Sequence, residues 1–331
     1  EGRDPVAGLH TVRSELREYD PRLAALPWVL AANKVDVPEA REIAASMTFA
    51  CATDGNHGRS VAAAAQKVGA RAVVFVHEGV SPERIAAIER FGATVHVVPG
   101  TYDDAVAEAA RRSAAEGWTL LSDTSETDDP DEARVPGLVM QGYTALVREA
   151  LRELPEPPTH VFVQAGVGGL AAAVAGHLFE TLGDRRPRVV VVEPARAACV
   201  LACAQAGRPI AVPSGEPTVM AMLECYRASG AAWSILAHAA DAFMTVEDDD
   251  AVAAMRRLAR PVAGDPAIVA GESGAAGLAG LLRAAGEPAA HRPADEPPLR
   301  DALCLDGAAR VLVINTEGAT DPGRYRELVG S

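Results

Sequence analysis

The stretch Thr53-Asp54-Gly55-Asn56-His57-Gly58-Arg59 follows a short apolar run at 47–51 and leads into RSVAAAAQKV at 59–68. An apolar run of that length reads as a buried strand, and the Ala-rich segment reads as a helix. The junction is therefore a strand-to-helix turn. Glycine lets a backbone approach closely there, and the start of a helix favours anionic or polar groups. Asn56 is able to hydrogen-bond a ring hydroxyl, but Asp54 or Asn56 can equally cap the helix. Alone, the turn is open to both readings.

Outward from this turn, strand and helix patterns alternate. Residues 71–76, 94–98 and 119–122 read as strands, and 82–91 and 103–116 as helices, with Gly69, Gly79, Gly92, Gly100 and Gly117 at their ends. A second series follows: a helix at 138–154, a strand at 160–164, a helix at 171–182, a strand at 188–192 and a last strand at 310–314. Such alternation predicts an α/β fold of mostly parallel sheets flanked by helices. The Pro-rich, charged residues 286–300 read as an exposed loop.

Composition narrows the classes. A chain of 331 residues suits two packed lobes, and with only 4% aromatic residues the core is built from Ala, Val and Leu. The net charge of −14 argues against a nucleic-acid-binding face and against docking on anionic lipid. No apolar run reaches membrane-spanning length and no signal-peptide pattern opens the sequence, so the expected location is the cytoplasm. Five scattered cysteines do not make a disulfide framework. Cys199 and Cys203, at helical spacing without a nearby His or Asp cluster, read as buried thiols, and no metal site is expected. Of 31 cationic residues only Lys34 and Lys67 are lysines, so covalent amine chemistry has two side-chain candidates.

Two further turns carry chemistry. Gly166-Val167-Gly168-Gly169-Leu170 lies between a strand and a helix, where backbone N–H groups can converge on a phosphate. It does not match the dinucleotide pattern Gly-x-Gly-x-x-Gly, although Glu193 at the end of the next strand keeps a nucleotide reading open. Asn315-Thr316-Glu317-Gly318-Ala319-Thr320-Asp321 closes the last strand, and open α/β sheets place ligands at such carboxyl ends. Each of the two is also consistent with an ordinary turn.

Taken in order, the three motifs resemble the fold-type-II pyridoxal-phosphate enzymes, the tryptophan-synthase-β-like family. Further segments narrow the resemblance: Asp54 itself, Tyr102-Asp103-Asp104, Ser122-Asp123-Thr124, Met140-Gln141-Gly142-Tyr143, Pro158-Thr159-His160-Val161, Gln164 through Gly168 and Gly271-Glu272-Ser273-Gly274-Ala275. This set resembles the diaminopropionate ammonia-lyase branch, from about residue 46 onward, with a weaker echo at 23–31. The resemblance implies a smaller domain at 46–145 and a larger one, 1–45 plus 146–331, holding the phosphate loop. It implies pyridoxal 5′-phosphate as cofactor, a small amino-acid substrate and a homodimer. The reaction implied is removal of the Cα proton, loss of the β-amino group, and hydrolysis to pyruvate and a second ammonia. Asp54 is then the acid/base carboxylate for the D-substrate, and Asp123 a second carboxylate that holds or protonates the departing amine. Asn56 contacts the cofactor's ring oxygen, Gly166 through Leu170 hold its phosphate, and Asn315 or Thr316 faces its pyridine nitrogen. A serine/threonine dehydratase or a catalytically impaired binding homologue are the rival readings.

The sequence departs from the family in one respect. The Schiff-base lysine belongs to a Phe-Lys-x-Leu-Gly-Gly type of segment, which is absent here. By the same resemblance the family has about forty more residues ahead of the Asp54 turn. Lys34 lies at this gap with the wrong neighbours, and Lys67 lies on the far part of a helix. If the chain is interrupted there, the Cα atoms near Asn33–Lys34, and near Pro21–Arg22, stand further apart than the roughly 3.8 Å of a trans peptide. Around Asp123 and Met222 the loops also differ from the family pattern, which bears on substrate choice.

Overall fold

The computed structural model describes residues 38–53, 55–125, 129–286 and 297–330. Asp54, Lys34 and the expected interruptions near Asn33–Lys34 and Pro21–Arg22 lie outside the described residues. The chain divides into two compact units at Ser122/Asp123.

The first unit is built on β1 (Thr48–Ala52), β2 (Arg71–His77), β3 (Thr94–Val98) and β4 (Thr119–Leu120). All pairings are parallel, in the order β3-β2-β1-β4. Helices Asn56–Val68, Pro82–Glu89 and Tyr102–Glu116 make the crossovers. Successive side chains of a strand point to opposite faces. Val74 and Val76 of β2 accordingly pack with Val61, Ala62 and Ala65, while Val73 and Phe75 pack with Ala105 and Ala109 on the other side. Both faces are covered, which is why β2 reads as a continuous apolar run.

The second unit repeats the plan with β5 (His160–Gln164), β6 (Arg188–Pro194), β7 (Ala242–Val246) and β8 (Val311–Val313), again all parallel, in the order β7-β6-β5-β8. Val161, Val163, Val189 and Val191 face one core, and Phe162, Val190 and Val192 face the other. Against the first core lies helix Gly169–Leu182, whose inward residues are mostly alanine and glycine. Small side chains let it sit close to the strands. The helix expected at 138–154 is longer, Pro130–Glu153, and packs on Gly169–Leu182 within this unit. β7 and the helices Cys199–Ala206, Gly230–Ala239, Asp248–Ala259, Ala276–Gly286 and Pro322–Val329 complete it. Helix Asp248–Ala259 opens on three aspartates and closes with Arg256 and Arg257, matching the helix dipole at both ends.

Candidate active site

The Thr53–Gly58 turn begins where β1 ends. Thr53 is buried. Its Oγ1 accepts the N–H of Gly55 at 2.9 Å and of Gly58 at 3.2 Å, so Thr53 satisfies the amide of the cap residue and one amide of the first turn. Asn56 is the first helical residue, with an exposed side chain, and is not the cap. A Cβ on Gly58 would come within 2.3 Å of Thr53 Cγ2, so glycine is needed for this closure. His57 Nε2 lies 2.9 Å from the Leu121 carbonyl. A carbonyl only accepts, so this nitrogen carries the proton. Lys67 stands in the last turn of the same helix, about 16 Å along the axis from Asn56.

The glycine turn follows β5. Gly168 adopts φ 97°, a left-handed conformation, and a Cβ there would meet Leu236 at 3.2 Å. A Cβ on Gly166 would meet Cys225 Sγ at 3.0 Å and the Leu223 Cα at 3.3 Å. The carbonyls of the turn are tied inward: Gly166 O accepts the Cys199 thiol, Val167 O accepts Ser229 N–H, and Gly168 O accepts Ala172 N–H. Its N–H groups, from Gly166 to Leu170, donate to no described residue. That is the state of a helix start whose orphan donors can converge on an anion.

Asp123 arrives at this turn by a separate route. Ser125 N–H donates to Ser229 Oγ at 3.2 Å, Gly230 N–H donates to the Ser125 carbonyl at 2.9 Å, and Ala231 N–H donates to Ser125 Oγ at 3.0 Å. Ser229 thus fastens both the glycine turn and the Asp123 segment. A Cβ on Gly169 would lie 3.9 Å from the Asp123 carbonyl. Tyr143 is near as well. Burial pushes its phenol up to about 12, helped by the charge of Asp123, so the hydroxyl stays a proton donor. Neither Ser229 nor Tyr143 is singled out by the sequence as a site residue. The one sign of Tyr143 there is its place in the Met140–Tyr143 segment.

At the end of β8, Asn315 and Thr316 are exposed and Glu317 is buried. Asn315 Nδ2 donates to the Val269 carbonyl at 3.0 Å, and its Oδ1 accepts Glu317 N–H at 3.2 Å. Glu317 Oε2 accepts Ser273 N–H, and its carbonyl accepts Gly271 N–H. A Cβ on Gly274 would fall 2.3 Å from Asn315 Oδ1. The Gly271–Ala275 and Asn315–Asp321 segments are therefore one interlocked structure. Thr316 Oγ1 accepts from Gln164 Nε2 at 2.9 Å, which ties the end of β8 to the end of β5.

Glu193 corrects the nucleotide reading. Its carboxylate is fully buried and accepts the N–H groups of Val200 and Leu201, each at 2.7 Å. It holds the start of helix Cys199–Ala206 and presents nothing to a ribose. Burial lifts it to about 7 against the pull of those two N–H groups. Cys199 and Cys203 are buried, as read, with both thiols shifted upward by desolvation. Among the described residues no three His, Cys, Asp or Glu side chains group as a metal site, and no helix is long and apolar enough to cross a membrane.

Residues 27–293 match the family described as pyridoxal-phosphate dependent enzyme. The chain belongs to this family, in its fold-type-II class. It is similar to the diaminopropionate ammonia-lyase of Escherichia coli strain K12, 39% identical over 290 residues that make up 87% of this chain and 71% of that one. Among solved structures it is similar to the E. coli diaminopropionate ammonia lyase in complex with an aminoacrylate–PLP azomethine reaction intermediate, with TM-score 0.76 and 38% identity over 86% of this chain and 71% of that one. The same enzyme in complex with D-serine matches with TM-score 0.76 and 36% identity over 88% of this chain and 73% of that one.

Proposed function

We propose that this chain is a pyridoxal-phosphate-dependent ammonia-lyase that converts 2,3-diaminopropionate and water to pyruvate and two molecules of ammonia. The observation that carries it is the glycine turn of the second unit: its carbonyls are tied into the protein, its N–H groups are left for an anion, and Asp123 is fastened beside it. The cradle fits a phosphate, because the N–H groups from Gly166 to Leu170 donate to no described residue and stand at the start of a helix. When bound, the cofactor supplies the electron sink for loss of the Cα proton.

The chain's own residues do the rest. Gly166, Val167, Gly168, Gly169 and Leu170 hold the phosphate through backbone N–H groups. Asn56 meets the ring oxygen, and Asn315 or Thr316 meets the ring nitrogen. Asp54 takes or returns the Cα proton of the D-substrate. Asp123 holds the β-amino group as a cation, or protonates it when it is neutral, so that it leaves as ammonia, with the protonated Tyr143 close by. Two carboxylates suit a substrate with two amines. Covalent attachment of the cofactor requires a lysine; the Phe-Lys-x-Leu-Gly-Gly type of segment that supplies it in the family is absent from this sequence, and Lys67 stands far along its helix. The relative's complex with D-serine supports a site that accepts D-amino acids. The protein works in the cytoplasm as a homodimer, the state that the family resemblance carries.

The test is incubation of the protein with pyridoxal phosphate and each enantiomer of diaminopropionate, with serine as comparison. Pyruvate release faster from diaminopropionate than from serine is expected. Borohydride reduction followed by peptide mapping identifies the lysine that carries the cofactor. Tight cofactor binding without pyruvate would instead mark a binding homologue.

A further inference from the structure

We infer that Gln164 is a positioning residue that fixes the direction of the Thr316 hydroxyl, so that Thr316 donates its proton to the cofactor's pyridine nitrogen and keeps that nitrogen unprotonated. The inference rests on the pyridoxal-phosphate reading above. It chooses between Asn315 and Thr316 and adds a residue that no motif assigns to the site.

Gln164 ends β5 and is 2% exposed. Its Nε2 lies 2.9 Å from the Ile314 carbonyl and 2.9 Å from Thr316 Oγ1. A backbone carbonyl only accepts, so the atom facing it must be the amide nitrogen. A flipped amide would set two acceptors against each other. With the orientation settled, both N–H bonds of Nε2 have acceptors, and the second is the Thr316 oxygen. The amide has little room to turn. A Cβ on Gly277 would lie 2.8 Å from the Phe162 carbonyl and 3.4 Å from Gln164 Oε1, so helix Ala276–Gly286 walls it in. Gln164 Oε1 is buried and has no hydrogen-bond partner among the described residues. An unsatisfied buried acceptor is costly, and the orientation is kept nonetheless.

Asn315 is committed to its own loop: its Nδ2 donates one N–H to the Val269 carbonyl and its Oδ1 accepts Glu317 N–H, so its amide plane is fixed there. Thr316 differs: its oxygen already accepts a hydrogen bond, and its own proton has no acceptor among the described residues. A hydroxyl so arranged is a donor. A donor facing a pyridine nitrogen requires the lone pair there, and an unprotonated ring is the weaker electron sink that suits elimination over transamination.

The experiment loads the full-length protein with 15N-labelled pyridoxal phosphate and follows the ring-nitrogen NMR shift from pH 6 to 9, alongside the cofactor dissociation constant. In the parent the nitrogen stays unprotonated throughout. In Gln164→Met the Thr316 oxygen is freed to accept, and the ring protonates at a higher pH than in the parent. Thr316→Ser keeps the parent profile; Thr316→Val, an exposed change that spares the core, alters it. Adding Gln164→Met to Thr316→Val produces no further change. A parent-like profile in Gln164→Met, or in Thr316→Val if the first variant does not fold, overturns the inference while leaving the cofactor reading intact. Failure of the parent to bind pyridoxal phosphate overturns both.

Discussion

At the scale of single residues, the turn after β1 shows how one polar side chain can organise a loop. Thr53 Oγ1 gathers two amides, so Thr53→Val, nearly the same shape, should lower stability by about 0.5–2 kcal/mol. Thr53→Ser should not; urea unfolding of the three proteins measures it, and equal midpoints would show that the hydroxyl is idle. Gly168→Ala combines a φ of 97° with contact at 3.2 Å, so it should weaken pyridoxal-phosphate binding, read by fluorescence titration. Unchanged affinity would mean that this turn is not the phosphate cradle. These residues were unequally legible. The glycines at 166, 168 and 169 stand out because few other reasons place so many small residues between a strand and a helix. Thr53 was hidden by its neighbours, since Asp54 and Asn56 are equally good caps on paper. The Gln164–Thr316 pair spans 152 positions, and no local pattern announces it.

At the scale of elements, Glu193 is where a strand end is coupled to a helix start. Its carboxyl is raised to about 7 from an ordinary 4.5, chiefly by burial. Below about 4.5 the folded and unfolded chains both hold this proton. As pH rises from there to about 7 the unfolded chain releases it first, so stability falls across that window and levels off above it. Glu193→Gln cannot titrate. The stability difference between parent and variant should therefore change between pH 4.5 and 7 and be flat above; a constant difference in thermal or urea midpoints would refute this. Most strands were readable at this scale because both sheets are parallel and doubly covered, which turns β2, β5 and β6 into unbroken apolar runs. Helix Gly230–Ala239 is apolar around most of its circumference and offers no periodic stripe to read. Helix Pro130–Glu153 was shortened in the sequence reading because Pro130, Pro136 and the acidic run before them look like a loop.

At the scale of the whole molecule, two carboxylates from different parts of the chain carry the proposed reaction. Asp54→Asn should lower kcat on D-diaminopropionate by about 100-fold or more, with a smaller effect on the L-enantiomer, while Asp123→Asn should slow both. Equal losses on both enantiomers in Asp54→Asn would remove its assigned role. The α/β class and the cofactor were legible from three turns in order. The lysine was not, because the motif that normally marks it is missing. The order of strands in the second unit has a last consequence. β5 and β8 pair in parallel, His160 beside Val311, across most of that unit's length. A nascent chain that has emerged only to the helix at Ala276–Gly286 already owns β5, β6, β7 and the glycine turn, but its sheet ends in an open edge at β5. Synthesis must run past Val313 before that edge is closed. On the proposed assignment, the seat for the phosphate would then be made before the seat for the ring, and capture of the cofactor would be a late event in the life of each new chain.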